Sequence, residues 1–288
     1  MKTMHEQTER GNLLFPFQHY KMTNEGGHLF IPYHWHEEIE ILYCIRGTVT
    51  LQLNGSSHLL KQGDICFVNR EELHQFSSAD TSMYYYAYVF PAEKLCFPQQ
   101  DYCQAKFIQP LLDMTLLFPT RLAANAACYE MIRQEIETII RVNEEKSTAY
   151  QLMTKASLLK IIAALAQEGL LCDASLEPAG AYGKDALQIR LITDWLKLHL
   201  SDPITLDMAA DFFHTSPKYF SRYFKKLFQQ NFSEYLNLLR IETACVLLLT
   251  TEDSISDIAC RCGYGNTSYF IRKFREQAGK TPFQYRKA

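Results

Sequence analysis

Hydrophobic and polar positions alternate with a period of two in the first ninety residues and with a helical period afterwards. From about Leu13 to Phe90 the chain reads as short strands. Ile39, Ile41 and Tyr43 alternate with other residues. Val49 to Leu53 runs into Asn54-Gly55, the dipeptide favoured by two-residue hairpins. Lys61-Gln62-Gly63-Asp64 marks another turn ahead of Ile65 to Val68. Met83 to Phe90 is an aromatic strand closed by Pro91, with Tyr84, Tyr86 and Tyr88 on one face and Tyr85 on the other. Many short strands with regular turns predict a small barrel or two-sheet roll. Two helices are expected next. Cys128, Ile132, Ile136, Ile139 and Ile140 form one apolar stripe, and Leu152, Ala156, Leu159, Ala163 and Ala166 form a second. Asn143 to Ser147 separates them. Residues 173–184, with Pro178, Gly180 and Gly183, predict a linker.

The last hundred residues carry one pattern twice. In the first copy Phe220, Phe224 and Leu227 fall at i, i+4, i+7, while Lys218, Ser221, Arg222 and Lys225 share another face. Ser216 suits an N-cap and Pro217 the first helical position. In the second copy Phe270 and Phe274 point inward, and Ser268, Ile271, Arg272 and Arg275 point out behind Asn266 and Thr267. Tyr-Phe-x-Arg-x-Phe-basic recurs in register, and Tyr235 and Tyr285 keep the same offset. A short helix precedes each copy. Leu206, Ala209, Ala210 and Phe213 match Ile255, Ile258, Ala259 and Cys262, where the alanines permit close approach. The second turn, Gly263-Tyr264-Gly265, is one residue longer than its counterpart. Between the copies, Ser233 to Thr250 predicts a helix with Leu236, Leu239, Ala244, Leu247 and Leu248 inward. At about 1.5 Å per residue it spans ~27 Å, near the ~34 Å of one DNA turn. Two helices that each offer a polar, basic face suit adjacent major grooves. Ile271 beside an Arg suits a thymine methyl.

The run from Ile255 through Ala259, Cys262-Gly263-Tyr264, Ser268-Tyr269-Phe270, Arg272 and Phe274-Arg275 resembles the signature of the AraC family of bacterial transcription regulators. The ending Gly279-Lys280-Thr281-Pro282-Phe283-Gln284-Tyr285-Arg286 does too. Residues 185–288 resemble that family's DNA-binding domain over its whole length. In the first copy Met208 and Ala209 replace bulkier residues. The resemblance implies a double-stranded DNA operator, RNA polymerase nearby with the chain acting as an activator, and a homodimer held by the helical pair.

Charge agrees. Residues 1–183 hold 14 Lys+Arg against 21 Asp+Glu, a net of −7, whereas residues 184–288 hold 15 against 11, a net of +4. Only the second part is expected to meet phosphate. Met1 to Asn12 is polar and mixed in charge, unlike a secretory signal, and no apolar run approaches membrane length. The nine cysteines include no Cys-x-x-Cys. They are expected to be small buried hydrophobes in a reducing cytoplasm.

One constellation in the first part carries chemistry. His34-x-His36, Glu40 and Gly47, followed by Gly63-Asp64 and His74, resemble the paired motifs of the cupin fold, a jelly-roll barrel. The glycine expected six residues before His34 is replaced by His28, and Asn69 stands where proline is usual. In cupin enzymes the equivalents of His34, His36, Glu40 and His74 bind a divalent metal, and such a set suits manganese, iron, nickel or zinc. In AraC-type regulators the cupin-like domain senses an effector without a metal. That second reading is preferred: His34, His36, Glu40, His74 and Tyr85 line an effector pocket, with no metal, cofactor or catalytic role. An aromatic beside imidazoles and a carboxylate suits a sugar or similar polar metabolite.

The expected architecture is α+β. It comprises a cupin-like barrel with a helical dimerisation segment over 1–172, a linker over 173–184, and an all-α domain with two helix-turn-helix motifs over 185–288. The expected function is transcription regulation by a small-molecule effector. A metal-binding cupin, sensor or enzyme, fused to a DNA-binding domain is the alternative.

Overall fold

A computed structural model of the chain describes residues 14–24, 29–174 and 184–287. His28 and most of the expected linker, residues 175–183, lie outside the described residues.

The first part is a two-sheet roll. Its strands are β1 (Gln18–Thr23), β2 (Leu29–His34), β3 (Ile39–Arg46), β4 (Thr48–Leu53), β5 (Ser56–Lys61), β6 (Ile65–Val68), β7 (His74–Ser78) and β8 (Tyr84–Phe90). A short helix α1 (Gln109–Leu112) and two-residue strands β9 (Leu116–Leu117) and β10 (Arg121–Leu122) follow. One sheet runs β1-β8-β3-β6-β10 and the other β2-β7-β4-β5, with antiparallel pairings throughout. Asn54 and Gly55 both take positive φ, 49° and 89°, as a tight hairpin between β4 and β5 requires. Leu42, Leu51, Leu53, Phe76, Tyr85 and Ala87 meet between the sheets and fill the roll with apolar side chains.

Helices α2 (Tyr129–Glu145) and α3 (Tyr150–Gln167) pack on the outer face of the larger sheet, and β11 (Cys172–Asp173) pairs with β9. Tyr88 joins their core and the Tyr86 hydroxyl donates to Glu144 Oε1 at 2.5 Å. The face carrying Tyr84, Tyr86 and Tyr88 therefore turns toward the helices, and Tyr85 turns into the roll. Cys128, Ile132, Ile136 and Ile139 are buried within the chain, as their spacing predicts. The second stripe faces outward, a choice its spacing left open. Leu152 is 70% exposed, Ala163 is exposed, and Ala156, Leu159 and Ala166 are only half-buried. The inner face of α3 is instead Thr154, Ser157, Leu158, Ile161, Ile162 and Leu165. Its polar members are satisfied across the helix pair: Asn143 Nδ2 donates to Thr154 Oγ1 at 2.8 Å and Ser157 Oγ to Glu135 Oε2 at 2.6 Å.

The remainder is helical: α4 (Lys184–Leu198), α5 (Leu206–Phe212), α6 (Pro217–Phe228), α7 (Phe232–Thr250), α8 (Ile255–Arg261), α9 (Thr267–Ala278) and α10 (Pro282–Arg286). Two cores form. Ala209, Ala210, Phe220, Phe224 and Leu239 belong to the first, and Ile241, Ala244, Ile258, Ala259, Phe270 and Phe274 to the second. Ser216, Asn266, Thr205, Ser254 and Thr281 cap their helices by accepting backbone N–H bonds. All nine cysteines are free thiols. No helix among the described residues is long and apolar enough to cross a membrane.

Candidate functional site

The histidine cluster is built by β2, β3 and β7. The β2–β7 register shifts between Ile31 and His34. Such a bulge adds a residue and swaps which face each side chain takes. Leu29 and Ile31 pack toward the roll interior while Phe30 packs outward. Past the shift, His34 and His36 face the cluster while Tyr33 and Trp35 pack outward.

The three rings lie 4.1 Å (His34 to His74), 5.0 Å (His36 to His74) and 5.8 Å (His34 to His36) apart between centroids. His36 is 1% exposed and His74 fully buried. Each ring sets Nδ1 against a backbone carbonyl: His34 on Pro32 at 2.9 Å, His36 on Glu38 at 3.1 Å, His74 on Glu72 at 2.8 Å. A carbonyl only accepts, so Nδ1 carries the proton in all three, and in the neutral ring Nε2 holds the lone pair. One ligand nitrogen from each ring lies within 4.8 Å of the others. Glu40 Oε2 sits 3.4 Å from His36 Nε2 and 3.2 Å from His74 Nε2.

Burial alone would raise the Glu40 carboxyl, but its contacts with His36 and His74 outweigh it and hold the group well below the usual carboxylate range. Burial, and then the Glu40 charge, pushes the Tyr85 phenol the other way. The hold on the Glu40 carboxyl needs a protonated ring facing it; with both rings neutral, Nε2 lone pairs would face the carboxylate, and a cation among them would relieve the repulsion. A proton on one ring would give a buried ion pair. A divalent metal would take a nitrogen from each of the three rings, with Glu40 beside two of them. Donors on one zinc ion at ~2.1 Å are at most ~4.2 Å apart, so the three nitrogens need close by less than an ångström. The residues therefore fit a divalent ion.

Tyr85 is 1% exposed and its ring packs on Phe76 at 5.8 Å. It belongs to the filled interior rather than to an open cavity wall. Asn69, which takes the usual proline position, ties this end of the roll to the loop after β9. Its Nδ2 donates to the Phe118 carbonyl at 3.1 Å, and Phe118 N donates to its Oδ1 at 2.8 Å.

Helices α6 and α9 present the expected polar faces. Lys218, Ser221, Arg222 and Lys225 are exposed on α6, as are Ser268, Ile271, Arg272 and Arg275 on α9. Asn266 is engaged locally, its Oδ1 accepting from Tyr269 N at 2.9 Å, and Thr267 Oγ1 sits 3.4 Å from Ser256 Oγ. Arg272 stacks over the Tyr269 ring at 5.2 Å.

Sequence reasoning missed the surface between the two parts. Tyr33 packs edge-on against Phe228 of α6 at 5.5 Å, Phe30 against Tyr235 of α7 at 5.7 Å, and the Arg190 guanidinium of α4 lies 4.7 Å over the Trp35 ring. Leu73, beside His74, joins the same core. The alternation in Tyr33-His34-Trp35-His36 was the available signal.

Comparison with known proteins places both parts. The family model described as an AraC-like ligand binding domain matches residues 23–162, and a helix-turn-helix domain model matches residues 209–288. The chain is 26% identical to the HTH-type transcriptional regulator YdeC of Bacillus subtilis over 99% of this chain and 97% of that one. It is 25% identical to the HTH-type transcriptional activator RhaS of Escherichia coli O1:K1, covering 87% and 86%. Among solved structures, the C-terminal domain of the response regulator yesN of Fusobacterium nucleatum is 36% identical over 36% of this chain and 99% of that one, with a TM-score of 0.34. A ligand-binding roll ahead of two helix-turn-helix units, matched by both family models, makes this chain a DNA-binding transcription regulator of the AraC family.

Proposed function

We propose that this regulator is switched by a divalent metal ion, or by a ligand held through one, at His34, His36, Glu40 and His74. One observation carries the reading. Three imidazoles are oriented by backbone carbonyls, and their ligand nitrogens lie close together, with the buried Glu40 carboxyl beside two of them. The sugar-like effector expected from the sequence fits less well. His36, His74 and Tyr85 are closed off, and the roll is packed with apolar side chains, so a hydroxylated ligand would have to displace them.

The route from site to DNA is short. Tyr33, Trp35 and Leu73 alternate in sequence with the cluster histidines and pack on α4 and on the first reading unit. A change in how the cluster is filled therefore acts on a strand whose other face holds Phe228, the last residue of α6. For the ion to switch transcription it must bind one arrangement of this docking better than the other.

The two reading helices enter consecutive major grooves, with Arg222 and Arg272 on base edges. The chain acts as an activator beside RNA polymerase and as a homodimer, and the outward stripe Leu152, Ala156, Leu159, Ala163 and Ala166 of α3 supplies the contact. The relative named as an activator supports that sign. The test is binding of the full chain to a duplex that it selects from a random pool, with chelator and then with manganese, iron, nickel or zinc. A severalfold change in affinity with one ion is expected. Equal affinity under all conditions would remove the switch.

A further inference from the structure

The two reading units have separate cores, and the division falls at one residue of α7. Leu239 belongs to the first core and Ile241 to the second. Between them stands Arg240, only 9% exposed. Its Nε donates to the Leu200 carbonyl at 3.3 Å and its Nη2 to the Asp202 carbonyl at 2.7 Å, both in the loop that leads into the first unit. The same guanidinium lies 5.6 Å from the Tyr264 ring centroid, in the turn of the second unit. Tyr264 in turn packs on Tyr269 and Phe270 of α9, and its hydroxyl donates to Asn237 Oδ1 of α7 at 3.3 Å. Gly263 completes the junction. It takes a φ of 77°, and a Cβ there would run into the Leu200 carbonyl and come within 2.6 Å of Arg240 Nη2.

A guanidinium whose partners here are two carbonyls and a ring has given up hydration that an aliphatic side chain would not have to lose. What it supplies, and an aliphatic cannot, is simultaneous reach to both units. Helix α7 fixes their separation along its axis. The contacts of Arg240 fix how one unit is turned relative to the other about it.

We infer that Arg240 is the positioning residue that sets the angle between the two reading helices, so that both engage DNA only at one spacing of their half-sites. The inference rests on the reading that both α6 and α9 meet DNA. When both are engaged, the second contact forms at high effective concentration, which a misaligned linkage forfeits.

The test uses the full chain and a duplex selected by it from a random pool. Derivatives of that duplex carry insertions of one to five base pairs between the halves, or one half scrambled. Five base pairs turn one half to the opposite side of the helix. The wild-type chain is expected to lose about 10- to 100-fold in affinity at that insertion. Arg240→Met should bind the parent duplex near the level of the single-half duplex. It should show a flattened dependence on spacing, and its single-half affinity should stay within about twofold of wild type. Gly263→Ala strikes the same junction from the other side and should flatten or shift the same profile, while Arg240→Lys should fall between. A wild-type spacing profile in both Arg240→Met and Gly263→Ala overturns the assignment. So does an equal loss on parent and single-half duplexes in both, which would mark a residue needed only for folding. If the wild-type chain itself shows no spacing dependence, the two-groove reading fails instead, and Arg240 with it.

Discussion

Removal of the ion should be visible as a loss of stability confined to the roll. Three rings, His34, His36 and His74, form the cluster, two of them essentially closed to solvent, and Glu40 stands beside His36 and His74. An ion bound there stabilises the folded domain by mass action, about 2.7 kcal/mol at a hundredfold excess over its dissociation constant. A domain of this size moves its midpoint by roughly 2–4 °C per kcal/mol, so the shift should be about 5–11 °C. Thermal melts followed by tyrosine fluorescence would measure it, since Tyr85 and Tyr88 lie in the roll. Chelator should lower the midpoint by that amount, and one of manganese, iron, nickel or zinc should restore it. His36→Ala or His74→Ala should abolish the response, because each removes one ring of the three. Tyr85→Phe should leave it intact, since the phenol is not among the donors, whereas a hydroxylated metabolite stacked on Tyr85 would feel that change. If chelator and all four ions leave the melt unchanged while a sugar or related metabolite raises it, the ion reading is wrong and the polar-effector reading stands.

Two further outcomes follow from the surfaces. Arg222→Ala and Arg272→Ala should each weaken binding to the selected duplex by about 1–3 kcal/mol while leaving scrambled DNA nearly unaffected, and equal losses on both would reduce these arginines to phosphate contacts. Leu152→Glu, on the outward face of α3, should convert a dimer to a monomer in sedimentation, with the melting midpoint falling only to a value that no longer depends on protein concentration. Ile136→Glu, on the inward face of α2, should unfold the helical pair, and a Leu152→Glu chain that stays dimeric would move the interface elsewhere.

The sequence disclosed what is local. The reading helices were legible because Phe220, Phe224, Phe270 and Phe274 repeat at helical spacing and sit fully buried, and because Ser216 and Asn266 cap the helices they precede. The hairpin at Asn54-Gly55 was legible from its dipeptide, whose residues both take positive φ. Where polar groups pair across elements, counting apolar residues fails. Thr154 and Ser157 are buried because Asn143 and Glu135 satisfy them. That exchange turned the Leu152–Ala166 stripe outward. Arg240 was illegible in the same way: a charge in the middle of a helix reads as solvated until the carbonyls of Leu200 and Asp202, forty residues away, are seen to receive it. Asn266, assigned to DNA, also caps α9, its Oδ1 accepting from Tyr269 N.

The four cluster residues were recognisable from their spacing, yet their chemistry depends on atoms no spacing reports. Whether a His-x-His pair holds a metal or merely lines a pocket turns on which nitrogen faces inward. That choice is made by the carbonyls of Pro32, Glu38 and Glu72. Each carbonyl lies two residues from its histidine, so the ring orientation is written into the local backbone around β2 and just ahead of β3 and β7. The bulge between Ile31 and His34 then decides that Tyr33 and Trp35 face the helices. A site whose ligands and whose docking residues occupy alternate positions on one strand cannot change one without pressing on the other. That coupling would give a switch at this cluster its physical basis without a chain of intermediaries: His34 and Tyr33 are neighbours in sequence, and the Tyr33 ring already rests on Phe228 at the end of the first reading helix.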